Sequence, residues 1–299
     1  MAASSIQAND LFDAEFLESL KTLRFIARRV PPGGRFADQR SRDLGSGIEF
    51  RDFRPYAAGD DLRAIDWNIY RRLGRVFLRL FEEWEDMPLY ILPDTSASMY
   101  LEDPPRARAG LRTSLALAAI SLNHHDTVGV FPFKDDVKVA LRPQAGKRRV
   151  LRFAEHLASL EPGGSTDLAA ALQHFGKWRM REGLVAVVSD FFDAHGIESV
   201  IDALRHVRHK LLLVQLVRKG DREPDVSGDL RLVDCESGEA QDVTVTPTVL
   251  ARYRDAYDDF QEQLVTFAQK RGAGLLQIDA DEPVVPQLAQ IFERGSLPV

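Results

Sequence analysis

The sequence predicts an α/β fold: a doubly wound, mostly parallel sheet with helices on both faces, preceded by a small N-terminal α+β subdomain. Three observations carry this. After Pro88, short apolar runs ("LYIL", "LVAVVS", "LLLVQLV", "LLQID") alternate with longer segments whose apolar residues recur at helical spacing. No internal repeat or low-complexity linker interrupts that order, and strands alternating with helices argue for a mostly parallel sheet covered on both faces. Before Pro88 the pattern is shorter and mixed, which sets a division into residues 1–87 and 88–299.

Taken in order, Leu11, Phe12, Phe16, Leu20, Leu23 and Ile26 are spaced as one helix face, and Pro31-Pro32-Gly33-Gly34 breaks that helix. "GIEF" and "RVFLRLF" read as strands, and "AAGDDLRAIDW" as a turn entering a short helical piece. "LYIL" is a buried strand and "RARAGLRTSLALAAISLNHH" a long helix. "TVGVFPF" and "VKVALR", separated by Lys134-Asp135-Asp136, predict a hairpin. "KRRVLRFAEHLASL" and "LAAALQHFGKWRM" come next as helices, "LVAVVS" as a strand, "GIESVIDALRHVRHK" as a helix and "LLLVQLV" as a strand. Residues 228–246 read as an excursion hairpin turning around Ser237-Gly238. A helix over 247–271, the strand "LLQID" and the helix "PQLAQIFERG" complete the chain.

The 299 residues are 44% hydrophobic and 28% charged, the composition of a globular chain with a sizeable core. A net charge of −6 argues against nucleic acid as a general partner. The charge is uneven: residues 221–299 hold 7 Lys+Arg against 16 Asp+Glu, whereas residues 21–79 are rich in Arg. Solvated helix surfaces of opposite sign account for that pattern, as would a dedicated binding face. A lone cysteine, Cys235, excludes an intrachain disulfide and points to a reducing compartment. The N-terminus lacks the basic and apolar regions of a secretory signal, and "LLLVQLV" is too short to span a bilayer. The expectation is a cytoplasmic protein with no direct membrane insertion.

Ligands of open doubly wound sheets bind beyond the carboxyl ends of the strands. Three segments place oxygen donors there. Asp94, Ser96 and Ser98 come after "LYIL"; Thr166 and Asp167 come after the Gly163-Gly164 turn; Asp190 comes after "LVAVVS". No His or Cys joins them, so the set suits Mg²⁺ or Mn²⁺ and disfavours zinc. Two carboxylates and three hydroxyls do not saturate an octahedral ion, so waters or a partner's oxygen must complete the shell.

The D-x-S-x-S at Asp94, Ser96 and Ser98, the Thr after a Gly-rich turn and the Asp after a later strand resemble the metal-ion-dependent adhesion site of von Willebrand factor A domains. The resemblance covers roughly residues 88–292 and implies a site of Asp94, Ser96, Ser98, Thr166 and Asp190. It further implies that the two serines ligate the ion directly and that the aspartates act largely through water. Thr166 would ligate directly or through water, and the free position would take an acidic residue of the partner. Ser165 stands where that pattern usually has Gly, a small departure at the third loop.

The N-terminal segment "GSGIEFRDFRPYAAGDDLRAIDWNIYRRLGRVFLRLFEEWE" resembles the domain of unknown function 58 family, a branch with a von Willebrand A-like fold. The matching core is Gly59-Asp60-Asp61-Leu62-Arg63-Ala64-Ile65-Asp66-Trp67, preceded by Glu49-Phe50 and Tyr56. Physically, Arg63 is within reach of Asp60 or Asp66, and Trp67 reads as a large apolar anchor whose truncation to Ala costs about 3–5 kcal/mol. A partner-facing role is the other reading. His124-His125 read as a helix C-terminus, because adjacent side chains point apart on a helix. "AGKRR" lacks the phosphate-loop pattern, and Asp135, Asp136 and Asp193 read as solvated.

Two functions compete. The first is a non-enzymatic, metal-dependent protein-binding module. The family resemblance implies that it works beside a MoxR-type AAA+ ATPase, or with an acidic client, in chaperone-like maturation of a complex. The alternative is a Mg²⁺-dependent phosphoester hydrolase using Asp94 and Asp190. That chemistry needs a general acid or base and usually a cation near the ion, and the three loops contain no suitable His or Lys.

Overall fold

The structure, a computed structural model, describes residues 11–29, 49–57, 60, 62, 65–82 and 87–293. Its elements in chain order are α1 (Ala14–Arg29), β1 (Glu49–Pro55), α2 (Trp67–Leu73), β2 (Phe77–Glu82), β3 (Leu89–Pro93), α3 (Arg106–Asn123), β4 (Val128–Val130) and β5 (Leu141–Gln144). Next come α4 (Val150–Ala158), α5 (Leu168–Lys177), β6 (Leu184–Ser189), α6 (Gly196–His206), β7 (Lys210–Val217), β8 (Gly228–Val233), β9 (Ala240–Val245), α7 (Pro247–Arg271), β10 (Gly274–Asp279) and α8 (Val284–Glu293). Among the described residues, no helix is long and apolar enough to cross a membrane.

The chain forms two units, Met1–Pro31 with Met87–Val299, and Pro32–Asp86. In the larger unit, six strands lie in the order β10-β7-β6-β3-β4-β5, all parallel except the edge strand β5. Alternation along β3 shows why the strands are apolar throughout. Leu89 and Ile91 join one core, with α1, α3, α4 and α8, while Tyr90 and Leu92 join the other, with α5, α6 and α7. The sheet is therefore covered on both faces, as the sequence predicts. From β3 the chain crosses to β4 on one side, and β6 then returns to β3's other side. The strand order reverses between β3 and β6, the crevice where such sheets bind ligands.

Helix α1 differs from the expected division at residue 87. Leu11 before it, and Phe16, Leu20 and Leu23 along it, are at most 5% exposed and lie in the core shared by α3 and α8. Arg112 of α3 donates to Leu11 O at 2.7 Å and also bonds Asp13. An amphipathic helix needs an apolar surface to cover, and α1 covers this one. The smaller unit therefore begins only at Pro32.

In the smaller unit, β1 and β2 pair antiparallel with a bulge between Phe50 and Asp52. Asp66 caps α2 by accepting from Asn68 N and Ile69 N, and Gly74 ends the helix in the left-handed conformation. Asp60 accepts from Arg54 at 2.6 Å. Gly59, Asp61, Arg63 and Ala64 lie outside the described residues. Trp67 corrects the anchor reading: it is 59% exposed, touching Tyr70 edge-on, because α2 buries none of its residues.

The 137–142 segment is a further difference. Val137 makes only an isolated bridge to Phe133, and the antiparallel ladder with β4 is carried by β5, starting at Leu141.

Candidate metal centre

The site grows from the C-terminal ends of β3 and β6. Pro93 pairs with Val188, and Asp94 N donates to Val188 O at 2.9 Å, so both strands stop side by side. The loops leaving the two strands therefore face the same crevice. Asp94 turns its loop by accepting from Ser96 N at 2.9 Å through Oδ1. Its other oxygen accepts from Ser189 Oγ at 2.7 Å, and Ser189 Oγ in turn accepts from Phe191 N at 3.0 Å. Ser189 thus ties the two strand ends together across the crevice.

Ser96 and Ser98 direct their hydroxyls to one place, with the two Oγ atoms 3.0 Å apart. The third loop is strapped to the first: Ala97 N donates to Gly164 O at 3.2 Å and Gly163 N to Thr95 O at 3.1 Å. That path needs positive φ at Gly163 (122°) and Gly164 (84°), where a side chain would strain the backbone. It delivers Thr166, 4% exposed, to the same crevice. The structure therefore brings Asp94, Ser96, Ser98, Thr166 and Asp190 to the mouth of the β3–β6 crevice.

Neighbouring carboxylates have other tasks. Asp167 caps α5 through Ala170 N at 2.7 Å. Asp193, expected to be solvated, has a side chain only 1% exposed, because it accepts from Leu168 N at 2.9 Å and His195 N at 2.8 Å. With His195 these two form a tight acidic group, but their oxygens serve helix starts and turns. Asp136 pairs with His174 Nδ1 at 2.6 Å, and Asp135 is exposed as expected.

Three residues absent from the sequence-based site complete it. Arg106, 5% exposed at the start of α3, lies 3.5 Å from Asp190 Oδ2 and binds Asp221 and Glu102. Ser189 is the tie between the strand ends. Glu236, at the tip of the β8–β9 hairpin, accepts from Ser98 Oγ at 2.8 Å, Thr166 Oγ1 at 2.8 Å and Thr166 N at 2.7 Å. Ser189 adjoins the predicted Asp190 and was legible from that adjacency. Nothing local marks Arg106 or Glu236.

Electrostatically the site is acid-rich. Burial pushes the Asp94 carboxyl above its ordinary range, and the charge of Glu236 adds to this. Asp190 is pushed up to about 7, chiefly by burial and then by Asp94, with Arg106 opposing. Tyr100 Oη is buried without a hydrogen-bond partner among the described residues, and the Asp94 charge raises its pKa further. Hard oxygen donors and crowded carboxylates fit a divalent Mg²⁺- or Mn²⁺-type ion, whose charge would relieve the repulsion.

Among known proteins, the uncharacterized protein Rv1480 of Mycobacterium tuberculosis is 24% identical over 302 residues, covering 98% of this chain and 95% of that protein. Among solved structures, the conserved hypothetical protein BatB of Bacteroides thetaiotaomicron aligns with a TM-score of 0.41 and 13% identity over 70% of this chain and 98% of that one. The manganese-loaded TRAP protein of Plasmodium vivax aligns with a TM-score of 0.31 and 21% identity over 44% of this chain and 57% of that one. A family model described as "Protein of unknown function DUF58" matches residues 52–263, most of the chain and parts of both units. This protein belongs to the DUF58 family.

Proposed function

We propose that this chain is a non-enzymatic protein-binding module that uses a divalent ion, Mg²⁺ or Mn²⁺, to capture a carboxylate of a partner. The observation that carries the reading is the gathering of hydroxyls from two separate loops, Ser96 and Ser98 from one and Thr166 from the other, beside Asp94 and Asp190 at the reversal of strand order. In the arrangement implied by the resemblance to von Willebrand factor A domains, the hydroxyls hold the ion and the aspartates balance its charge, largely through water. The ion supplies a hard, positively charged position that a partner carboxylate fills in place of water. Ser189 and the Asp94–Ser96 turn keep the donors in place before any ion arrives.

Family resemblance makes a MoxR-type AAA+ ATPase, or the acidic client it remodels, the partner of this reading, in chaperone-like maturation of a protein complex. The test is binding to such an ATPase with Mg²⁺ and with EDTA. EDTA should weaken it at least about tenfold, a loss of about 1.4 kcal/mol. Ser98→Ala should reproduce the loss, and Glu198→Ala, exposed on α6, should not. Equal affinity with and without metal would sink the metal-bridged mechanism. The hydrolase alternative gains little from Arg106, whose guanidinium is already engaged by Glu102, Asp221 and Leu216 O. Phosphatase turnover that requires Mg²⁺ and is lost in Asp94→Asn would reinstate it.

A further inference from the structure

We propose that Glu236 is the chain's own ligand for this site, an internal carboxylate in the position that a partner's carboxylate would take. Capture of a partner then requires the β8–β9 hairpin to lift away. The proposal rests on the metal reading above.

Glu236 engages the site with both oxygens. Oε1 accepts from Ser98 and Thr166 hydroxyls, and Oε2 accepts from Thr166 N. Those two hydroxyls come from separate loops, and Glu236 lies 138 residues from Ser98 and 70 from Thr166. A side chain reaching both loops from a third place is a tertiary contact, not a by-product of a local turn. The tip is shaped for it. Asp234 accepts from Glu236 N at 3.0 Å and from Ser237 N and Oγ, and Gly238 closes the turn with φ 73°. This fixes the backbone that carries the carboxylate before it docks.

The rest of the hairpin has little hold on the protein. None of the residues of β8 or β9 is buried, and Leu232 and Val233 are 51% and 61% exposed. A two-stranded hairpin with no buried face is marginal by itself, so its position depends on its tip. Charge sets the sign of the coupling. Without a cation, Glu236 stands beside Asp94, and like charges work against docking. A divalent ion among these groups turns that repulsion into a bridge. The ion therefore fastens the hairpin, and a partner must outcompete the internal carboxylate rather than displace a water.

The experiment uses the full chain, as wild type, Glu236→Ala, Glu236→Gln and the control Glu239→Ala on the same turn. Mn²⁺ affinity is measured by calorimetry with and without excess acetate, and hydrogen exchange is followed across residues 228–245. Wild type and Glu239→Ala should bind Mn²⁺ and show slowed hairpin exchange on binding. Both Glu236 variants should bind Mn²⁺ about tenfold to a hundredfold more weakly, the scale of losing a supporting group at a metal site. Their hairpins should exchange at the same rate with and without the ion. Acetate should recover Mn²⁺ affinity in Glu236→Ala and leave wild type unchanged. Absence of Mn²⁺ binding by wild type would be the failure of the metal reading, and the ligand role of Glu236 would fall with it. Mn²⁺ binding that is equal in wild type and Glu236→Ala, with hairpin exchange indifferent to the ion, would overturn this proposal alone.

Discussion

Burial lifts the Asp190 carboxyl to about 7, against 3.8 for the free residue. An acid raised in this way binds more protons folded than unfolded between those two values. Its contribution is therefore most favourable below about pH 4 and is lost as pH rises through about 7. Elsewhere Asp13 and Asp136 are held below the usual range, so they titrate in the opposite sense. The comparison that isolates the site is wild type against Asp190→Asn, both in EDTA. We expect the Asn variant to melt higher than wild type at pH 8 and to lose that advantage by pH 5, and, in a separate titration without EDTA, to fail to bind Mn²⁺. A variant that melts lower at both pH values would show that the Arg106 contact outweighs the crowding. Trp67 gives a second residue-scale expectation. At 59% exposure, its replacement by Ala should change stability by less than about 1 kcal/mol in urea denaturation. A loss of about 3–5 kcal/mol would restore the anchor role.

Among the elements, β6 is the one on which the site most depends, and two contacts fix its ends. At its start, a Cβ on Gly183 would lie 2.2 Å from Pro88 O, the same carbonyl that accepts from Leu184 N at 2.8 Å. Backbone cannot yield there as a flexible side chain would. Gly183→Ala should cost about 1–3 kcal/mol, the range for overpacking, and should weaken Mn²⁺ binding by shifting Ser189 and Asp190. Beyond its end, Asp193 joins the loop after β6 to the first turn of α5, the helix that comes after Thr166. Asp193→Ala leaves Leu168 N without its acceptor, a cost of about 1–3 kcal/mol. Chemical denaturation of both variants, beside Mn²⁺ titration, checks whether the fall in affinity tracks the loosened strand end.

At the scale of the molecule, α1 belongs to the unit that holds the site. Leu23 is fully buried there, and its truncation to Ala should cost about 2–5 kcal/mol. Deleting residues 1–31 should therefore yield a large unit that unfolds at lower urea than the full chain. A truncated chain of unchanged midpoint would return α1 to the role of a detachable segment. The acid-rich C-terminal region has a site-level counterpart, since Asp221 and Glu236 come from it to meet Arg106, Ser98 and Thr166. The candidate site and the hairpin tip are thus parts of one charge arrangement.

The sequence alone determined most strands and helices of the larger unit, the 137–142 segment excepted, and that Asp94 and Asp190 stand at strand ends. Leu184–Ser189 and Pro247–Arg271 were legible because period, Pro at the helix start and Gly272 at its end are local signals. Asp94 and Asp190 were legible because each comes directly after a buried apolar strand, whereas Ser96, Ser98 and Thr166 were singled out as a set with them by the D-x-S-x-S pattern, the Gly-rich turn and the resemblance these carry. Burial and long-range pairing were not legible. Trp67 has the same side chain on a surface as in a core, and nothing in the spacing of α1 names the surface it covers. Glu236 reaches Ser98 across 138 residues, in a turn whose local sequence satisfies itself. Only the tertiary structure decides such contacts, because their free energy comes from groups that the fold brings together and that no local stretch of chain contains.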